Sequence, residues 1–315
     1  MKLIRGLHNL KPEHRQTVLT IGNFDGVHRG HQTVLGQTVS RARQMGLKST
    51  VMIFEPQPLE FFAPSKAPAR LTRLSEKLQS LKDCHVDQVM LVRFNRAFAE
   101  LDAEDFIQQV LVDGLDIRHL YVGDDFCFGR NRGGNFDTLL EAGKNFGFGV
   151  ENLHTIGDHE GRFSSTRIRQ HLAQGDLAYA RDCLGRPYRM CGRVAHGHKQ
   201  GRTIGYPTIN IELHRNLSPL LGVYAVKVSG LSIEGEPQWL NGVASIGNRP
   251  VVEGDDHYLL EVFLFDFDRQ VYGQHVQVEF IQHIRPELDF ENFAALKKRI
   301  DEDAVQARRI LGISS

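Results

Sequence analysis

The 315-residue chain reads as an α/β, doubly wound parallel sheet followed by an antiparallel β-barrel with a C-terminal helix. Three observations predict this. Through residue 153, short apolar runs alternate with helical patterns, the signature of consecutive β–α–β units. From Gly185 onward those patterns give way to short apolar runs separated by turns, as in a barrel. Near the end, Phe290, Phe293, Leu296, Ile300, Ala304, Ala307 and Leu311 recur at steps of three and four, the apolar stripe of one helix. The length suits two cores better than one, which places the domains at residues 1–184 and 185–315.

In order, residues 18–21 are a short buried strand, and a loop with Gly22 and Gly26 follows. A helix then carries Val34, Leu35, Val39 and Ala42 inward and stops at Gly46. Residues 49–54 form a second strand, running into Glu55-Pro56-Gln57-Pro58, where two prolines predict a loop rather than a helix. Leu74, Leu78 and Leu81 mark a helix, residues 89–92 a strand, and Asp102 with Asp105 the opening of a helix holding Phe106, Val110 and Leu111. Residues 119–122, 138–146 and 148–153 complete the pattern as strand, helix and strand, and a short helix covers residues 176–184. In such sheets ligands bind beyond the carboxyl ends of the strands.

The loops at those ends carry the chemistry. The first reads GNFDGVHRGH, residues 22–31, and sets His28 and His31 three apart at a helix N-terminus. Free N–H groups and the helix dipole favour an anion there, and two imidazoles can donate to phosphate oxygens. The plainer alternative is that one histidine caps the helix while the other packs in the core. The loop at 123–134, GDDFCFGRNRGG, offers glycines and arginines for phosphates and Phe126 and Phe128 for a ring; a surface loop is the alternative. Residues 163–169, FSSTRIR, lead hydroxyls into a short helix with two arginines, where a simple N-cap is the competing explanation.

The first loop resembles the H-x-G-H signature of the nucleotidyltransferase superfamily, in the form found in the adenylyltransferase module of bacterial bifunctional riboflavin kinase/FAD synthetases. FEPQP at 54–58, Arg70-Leu71-Thr72, the 123–134 loop and SSTRIR follow in that family's order. Gln57 stands where many relatives have His, and Phe163 where Ile is usual. The resemblance implies a nucleotidyltransferase-like sheet in which His28 and His31 contact the ATP phosphates, with Gly22, Asn23, Phe24 and Gly30 around them. It further implies that Ser165, Thr166 and Arg169 hold the triphosphate, and that Asp124, Asp125, Phe126 and Phe128 belong to the flavin loop.

In the second half, apolar runs fall at 191–195, 223–228, 240–246, 259–265 and 276–281. Alternation sets Leu259, Glu261, Phe263 and Phe265 on one face, and Val276, Val278 and Phe280 on another. Nothing fits the Walker A pattern. Instead, HGHKQGRTIGYPTIN at 196–210 makes a cationic glycine loop followed by Thr208 and Asn210, two neutral oxygen ligands on one side of an extended segment. With nucleotide phosphates such ligands suit Mg²⁺; a bare glycine-rich hairpin is the alternative. The stretch is similar to the riboflavin kinase motif, with Ile209 in place of Ala. That similarity implies a riboflavin-kinase-like barrel, with phosphates at Gly197, Lys199, Gly201 and Gly205, metal at Thr208 and Asn210, and Glu261 as the catalytic carboxylate. Residues 247–250 match a family loop that places Arg249 at the flavin; Asn248 and Val251 stand where Thr is common. The resemblance spans essentially the whole chain.

Lys+Arg and Asp+Glu are both 38, so nothing global attracts nucleic acid or an anionic membrane, and no apolar run approaches spanning length. Four cysteines without C-x-x-C spacing suit the reducing cytoplasm. The expected activity is bifunctional: riboflavin is phosphorylated by ATP to FMN, and FMN is adenylylated to FAD, with Mg²⁺ as cofactor. The expected partners are riboflavin, FMN, FAD and ATP, with neither nucleic acid nor membrane; no oligomeric state is predicted. Two alternatives stay open: a monofunctional adenylyltransferase whose barrel only binds flavin, and a flavin carrier without catalysis.

Overall fold

A computed structural model describes residues 1–123, 125–153, 157–158, 161–195, 208–231, 239–249, 257–267 and 269–313. They form two compact units: residues 1–68 with 77–164, and residues 69–76 with 165–315.

The first unit is a six-stranded parallel sheet in the order β1-β4-β3-β2-β5-β6, with β1 Lys2–Arg5, β2 Thr17–Ile21, β3 Lys48–Glu55, β4 Gln88–Arg93, β5 His119–Gly123 and β6 Gly149–Leu153. All five residues of β2 are buried, as a central strand covered on both faces requires. Between β2 and β3 runs α1, Arg29–Met45, which buries Leu35, Val39 and Ala42 and ends at Gly46 in the left-handed conformation, φ 66°. Next come α2, Pro58–Phe62, α3, Leu74–Asp83, which begins in the second unit, and α4, Arg96–Ala99. Asp102 caps α5, Ala103–Asp105, by accepting from the Asp105 N–H at 2.9 Å. The chain then winds as a π-helix over Phe106–Val112, turning Phe106, Ile107, Val110 and Leu111 into the core against β2 and β5. The helix α6, Phe136–Phe146, precedes β6, and a hairpin of β7, Gly157–Asp158, and β8, Gly161–Arg162, follows it.

Two features depart from the sequence expectation. Strand β1 pairs in register with β4 at the sheet edge, yet only Ile4 of its four residues is buried, too little for an apolar pattern. Pro58 begins a helix rather than prolonging a loop, because at the first helical position its missing N–H is no loss.

In the second unit β9 Tyr188–Ala195, β10 Thr208–Glu212, β11 Gly222–Ser229, β12 Leu240–Arg249, β13 His257–Leu264 and β14 His275–Arg285 close an antiparallel barrel in the order β10-β13-β12-β11-β14-β9. Alternation sorts each strand. Leu260, Val262 and Leu264 point inward with Val276, Val278 and Phe280, all 3% exposed or less. Leu259, Glu261 and Phe263 therefore face outward. On that outer face α9, Phe293–Leu311, buries Ala304 and Ala307 against Val223, Ala225 and Val243. Phe293, at the head of the stripe, is 58% exposed. Two further helices belong to this unit, α7, Ser165–Ala173, and α8, Leu177–Leu184, the latter against β9 and β14.

Residues 69–76 are built into this unit by a buried ion pair. Arg215 donates to Glu76 Oε2 at 2.7 Å, both side chains being 3% exposed or less. The carboxylate also accepts from the N–H groups of Cys191 at 2.8 Å and Arg73 at 2.7 Å. Arg215 reaches the Arg70 carbonyl at 2.6 Å, and the Tyr188 hydroxyl donates to the Leu71 carbonyl at 2.9 Å. Removing one partner of such a pair strands the other charge. Glu76→Gln is thus expected to destabilise this unit by about 3–5 kcal/mol. Fluorescence of Trp239, the single tryptophan, reports the unit in urea; an unshifted midpoint would refute the expectation. A fragment starting at Gly185 lacks Glu76 and should share the deficit.

Candidate active sites

The sheet's strand order reverses between β2 and β5, and the loops leaving their carboxyl ends flank the crevice where such sheets take ligands. The loop after β2 is held in unusual backbone geometry. Phe24, Gly26 and Val27 have φ of 46°, 84° and 44°, and both side chains are buried. A β-branched residue at positive φ is costly, on the order of 1–3 kcal/mol, and such strain collects at functional sites.

The turn delivers His28 as the N-cap of α1, its Nδ1 accepting from the His31 N–H at 3.3 Å. The neutral ring then carries its proton on Nε2. The His28 and His31 rings stack with centroids 3.6 Å apart and 18° between planes. Gly30 makes room: a Cβ there would lie 3.2 Å from Cε1 and Nδ1 of His28. Both sequence explanations of the pair meet here, since His28 caps the helix and still stands at its anion-favouring end.

His31 Nδ1 is buried with no hydrogen-bond partner among the described residues. Burial, then the neighbouring His28, Lys77 and Arg162, hold His31 well below the ordinary histidine value. The native state therefore resists a proton that the unfolded chain accepts below about pH 6.5. Stability contributed by neutral His31 is present above that pH and is lost as pH falls towards the depressed value. The denaturant midpoint should drop on acidification through this window, and His31→Gln should flatten the slope; an unchanged slope in the variant would refute the assignment.

Beside this loop, at the end of β3, Gln57 is 8% exposed and its Nε2 has no hydrogen-bond partner among the described residues. Phe61, Phe62, Phe94 and Phe98 form an edge-to-face chain with centroids 5.3–5.8 Å apart, and Phe62 is 65% exposed. An exposed aromatic held this way offers an apolar surface to a flat ring. Sequence reasoning placed Phe61 and Phe62 in an unusual loop at a strand's carboxyl end but gave these rings no role; the available signal was Phe61-Phe62 after two prolines, with Phe94 and Phe98 just beyond the next strand. It also passed over Asp25 and Lys77, charged side chains buried to 3% and 1% exposure. A buried charge inside the glycine loop was the sign to follow for Asp25.

After β5, Phe128 and Gly134 exchange backbone hydrogen bonds at 3.0 Å and close the loop. Phe128 is buried against Phe106, centroids 5.1 Å apart, and Phe126 stacks on it at 5.6 Å. Phe128 thus serves the core as well as the loop. Asp125 is exposed, 3.9 Å from Arg162. Asn23 is exposed as well, and Gly22 sits beside the Phe24 ring. Ser165 and Thr166 open α7 in the second unit, where Arg169 donates to the Ala69 carbonyl at 2.5 Å.

On the barrel, Asn210 of β10 lies directly opposite Glu261 of β13, which in turn faces Ser245 of β12. Directly paired residues share a face, so the three side chains form one row on the outer surface, with Thr208 and Phe263 in the next. Asn210 is 9% exposed, and its Oδ1 has no hydrogen-bond partner among the described residues. A buried orphan oxygen beside a carboxylate is the donor set a hard divalent cation takes. Arg249 ends β12. Asp124, Gly197, Lys199, Gly201 and Gly205 lie outside the described residues.

Among the described residues no helix is long and apolar enough to cross a membrane. A family model for FAD synthetase matches residues 10–167, and one for riboflavin kinase matches residues 184–311. A bifunctional riboflavin kinase/FMN adenylyltransferase of Haemophilus influenzae is 50% identical over 98% of both chains, and one of Escherichia coli 49% identical over 100% of this chain and 99% of its own. A crystal structure from Streptococcus pneumoniae, described as a macrolide-efflux protein, superposes with a TM-score of 0.78 at 29% identity, covering 96% of this chain and 97% of that one. The chain accordingly belongs to the family of bifunctional riboflavin kinase/FMN adenylyltransferases.

Proposed function

We propose that the two sites divide two consecutive reactions. The protein phosphorylates riboflavin with ATP to give FMN, and then adenylylates FMN with a second ATP to give FAD and pyrophosphate. The kinase reaction is assigned to residues 185–315 and the adenylyl transfer to residues 1–184.

In the kinase step the riboflavin 5′-oxygen attacks the γ-phosphorus of ATP and ADP leaves. Glu261 takes the hydroxyl proton as the new P–O bond forms. Thr208 and Asn210 would hold a Mg²⁺, which when bound neutralises charge on the transferred phosphoryl group. In adenylyl transfer a phosphate oxygen of FMN attacks the α-phosphorus of ATP and pyrophosphate leaves. The nucleophile is already an anion, so no base is needed; His28 and His31 donate to the phosphates as charge shifts to the leaving group. Gly22, Asn23, Phe24 and Gly30 shape that loop, Ser165, Thr166 and Arg169 bind the triphosphate, and Phe62 with Phe126 offers faces for the isoalloxazine ring. Four cysteines without C-x-x-C spacing favour a reducing, cytoplasmic setting.

The observation that carries the bifunctional reading over a flavin-binding barrel is the row of Asn210 and Glu261, a base beside an unpartnered metal-type oxygen. Incubation with riboflavin, ATP and Mg²⁺, followed by chromatography, tests it. FMN and then FAD are expected; FAD formation only from supplied FMN would leave the barrel a binding module, and unchanged riboflavin would make the protein a carrier.

A further inference from the structure

Beside the phosphate loop lies a charged side chain that the proposed adenylyl transfer does not use. Lys77 belongs to α3, in the first unit, and is 1% exposed. It shares the buried face of that helix with Ser80 and Leu81, one turn on, at 5% and 0% exposure. A methionine would fill the same space without taking an ammonium out of water, so packing alone gives no reason for a lysine here.

The place of the charge follows from what it acts on. Burial is the main influence on His31, and the charges of His28, Lys77 and Arg162 act on it next. These groups come from the start of α1, from α3 and from β8. They meet at the N-terminus of α1, whose free N–H groups and dipole add to the same positive potential. The His28 and His31 rings stack there at 3.6 Å, and His31 Nδ1 is buried with no hydrogen-bond partner among the described residues. Like charges that converge away from water repel one another, and an anion relieves the repulsion. Asp25, 3% exposed, is the one buried carboxylate of this unit among the described residues. Arg162 lies 3.9 Å from Asp125, which is exposed. A triphosphate, with several negative charges, matches this gathering better than single carboxylates do. His31 is assigned to the phosphates of ATP, so an ammonium that acts on His31 stands beside the same group.

We propose that Lys77 is a catalytic residue of adenylyl transfer, its ammonium donating a hydrogen bond to the β- or γ-phosphate of ATP and to the pyrophosphate as it leaves. It stays protonated throughout, and its charge offsets the charge that builds on the leaving group. This rests on the assignment of adenylyl transfer to the loop at residues 22–31.

Lys77→Met is expected to lower kcat/KM for ATP in FAD formation roughly 10–100-fold, the loss of one charge-assisted hydrogen bond. Inorganic pyrophosphate, added as a product inhibitor of FAD formation, should inhibit the variant more weakly by a similar factor. Lys77→Gln, which keeps a polar end without the charge, should show the same two defects. The KM for FMN, the circular dichroism and FMN formation from riboflavin should not change. With the positive neighbour gone, the His31 ring should titrate at a higher pH by NMR. Wild-type inhibition by pyrophosphate in both variants would overturn the proposal. So would an unmoved His31 titration, or a rise in the KM for FMN alone, which would put the ammonium at the nucleophile's phosphate. A lowered melting temperature with wild-type FAD kinetics would leave Lys77 a core residue. Failure of the underlying site assignment reads out elsewhere, as FAD synthesis that survives in the His28→Asn, His31→Gln protein.

Discussion

Replacing His28 and His31 together by alanine should abolish FAD formation from FMN and ATP while FMN formation from riboflavin survives. Each imidazole is assigned a hydrogen bond to phosphate that strengthens as charge moves to the leaving group. Removing one such donor typically costs ~10²–10³-fold, and donors acting as a unit lose less than the product. The alanine pair also deletes the α1 cap, which by itself costs about 1 kcal/mol. His28→Asn with His31→Gln separates the two effects. Asn accepts the first-turn N–H as well as an imidazole nitrogen does, so the helix start persists while the stacked rings are gone. Both double variants should fail to make FAD, and the Asn/Gln pair should melt close to the wild type. FAD synthesis near the wild-type rate in either would remove the histidines from the chemistry.

Local periodicity made most of the fold legible. Val18 to Ile21 lie within β2, Leu35, Val39 and Ala42 are the buried apolar positions of α1, and the inward set Val276, Val278 and Phe280 follows from simple alternation. The His28–His31 spacing placed both rings at a helix start because three residues make almost one turn. Contacts between distant stretches left no such trace. Glu76 reads as a charge on a helical face, yet it is buried with Arg215, 139 residues away. Glu287 sits in an unremarkable Arg-Pro-Glu turn, and only Gly247, 40 residues earlier, shows where its carboxylate goes. The π-winding of Phe106–Val112 shifts which side chains face the core by changing the hydrogen-bond step, a choice that tertiary packing makes and composition does not.

Glu261→Gln is the second change expected to act by orders of magnitude. The riboflavin 5′-hydroxyl is a weak nucleophile unless its proton has somewhere to go as the phosphoryl group arrives. A positioned carboxylate typically contributes ~10²–10⁴-fold. Glu261 is half-buried, flanked across the ladder by Asn210 and Ser245, with the apolar Phe263 two residues on. A structural carboxylate in that row would serve folding, whereas a catalytic one serves only the kinase step, and glutamine distinguishes them. It keeps the shape and hydrogen-bonding capacity of the side chain but cannot take the proton. FMN formation should therefore fall by about two to four orders of magnitude, with circular dichroism and the melting temperature unchanged. FAD formation from supplied FMN should continue at the wild-type rate, because adenylyl transfer is assigned to residues 1–184. Loss of both activities together with the fold would make Glu261 a structural residue, and a wild-type kinase rate would exclude it as the base.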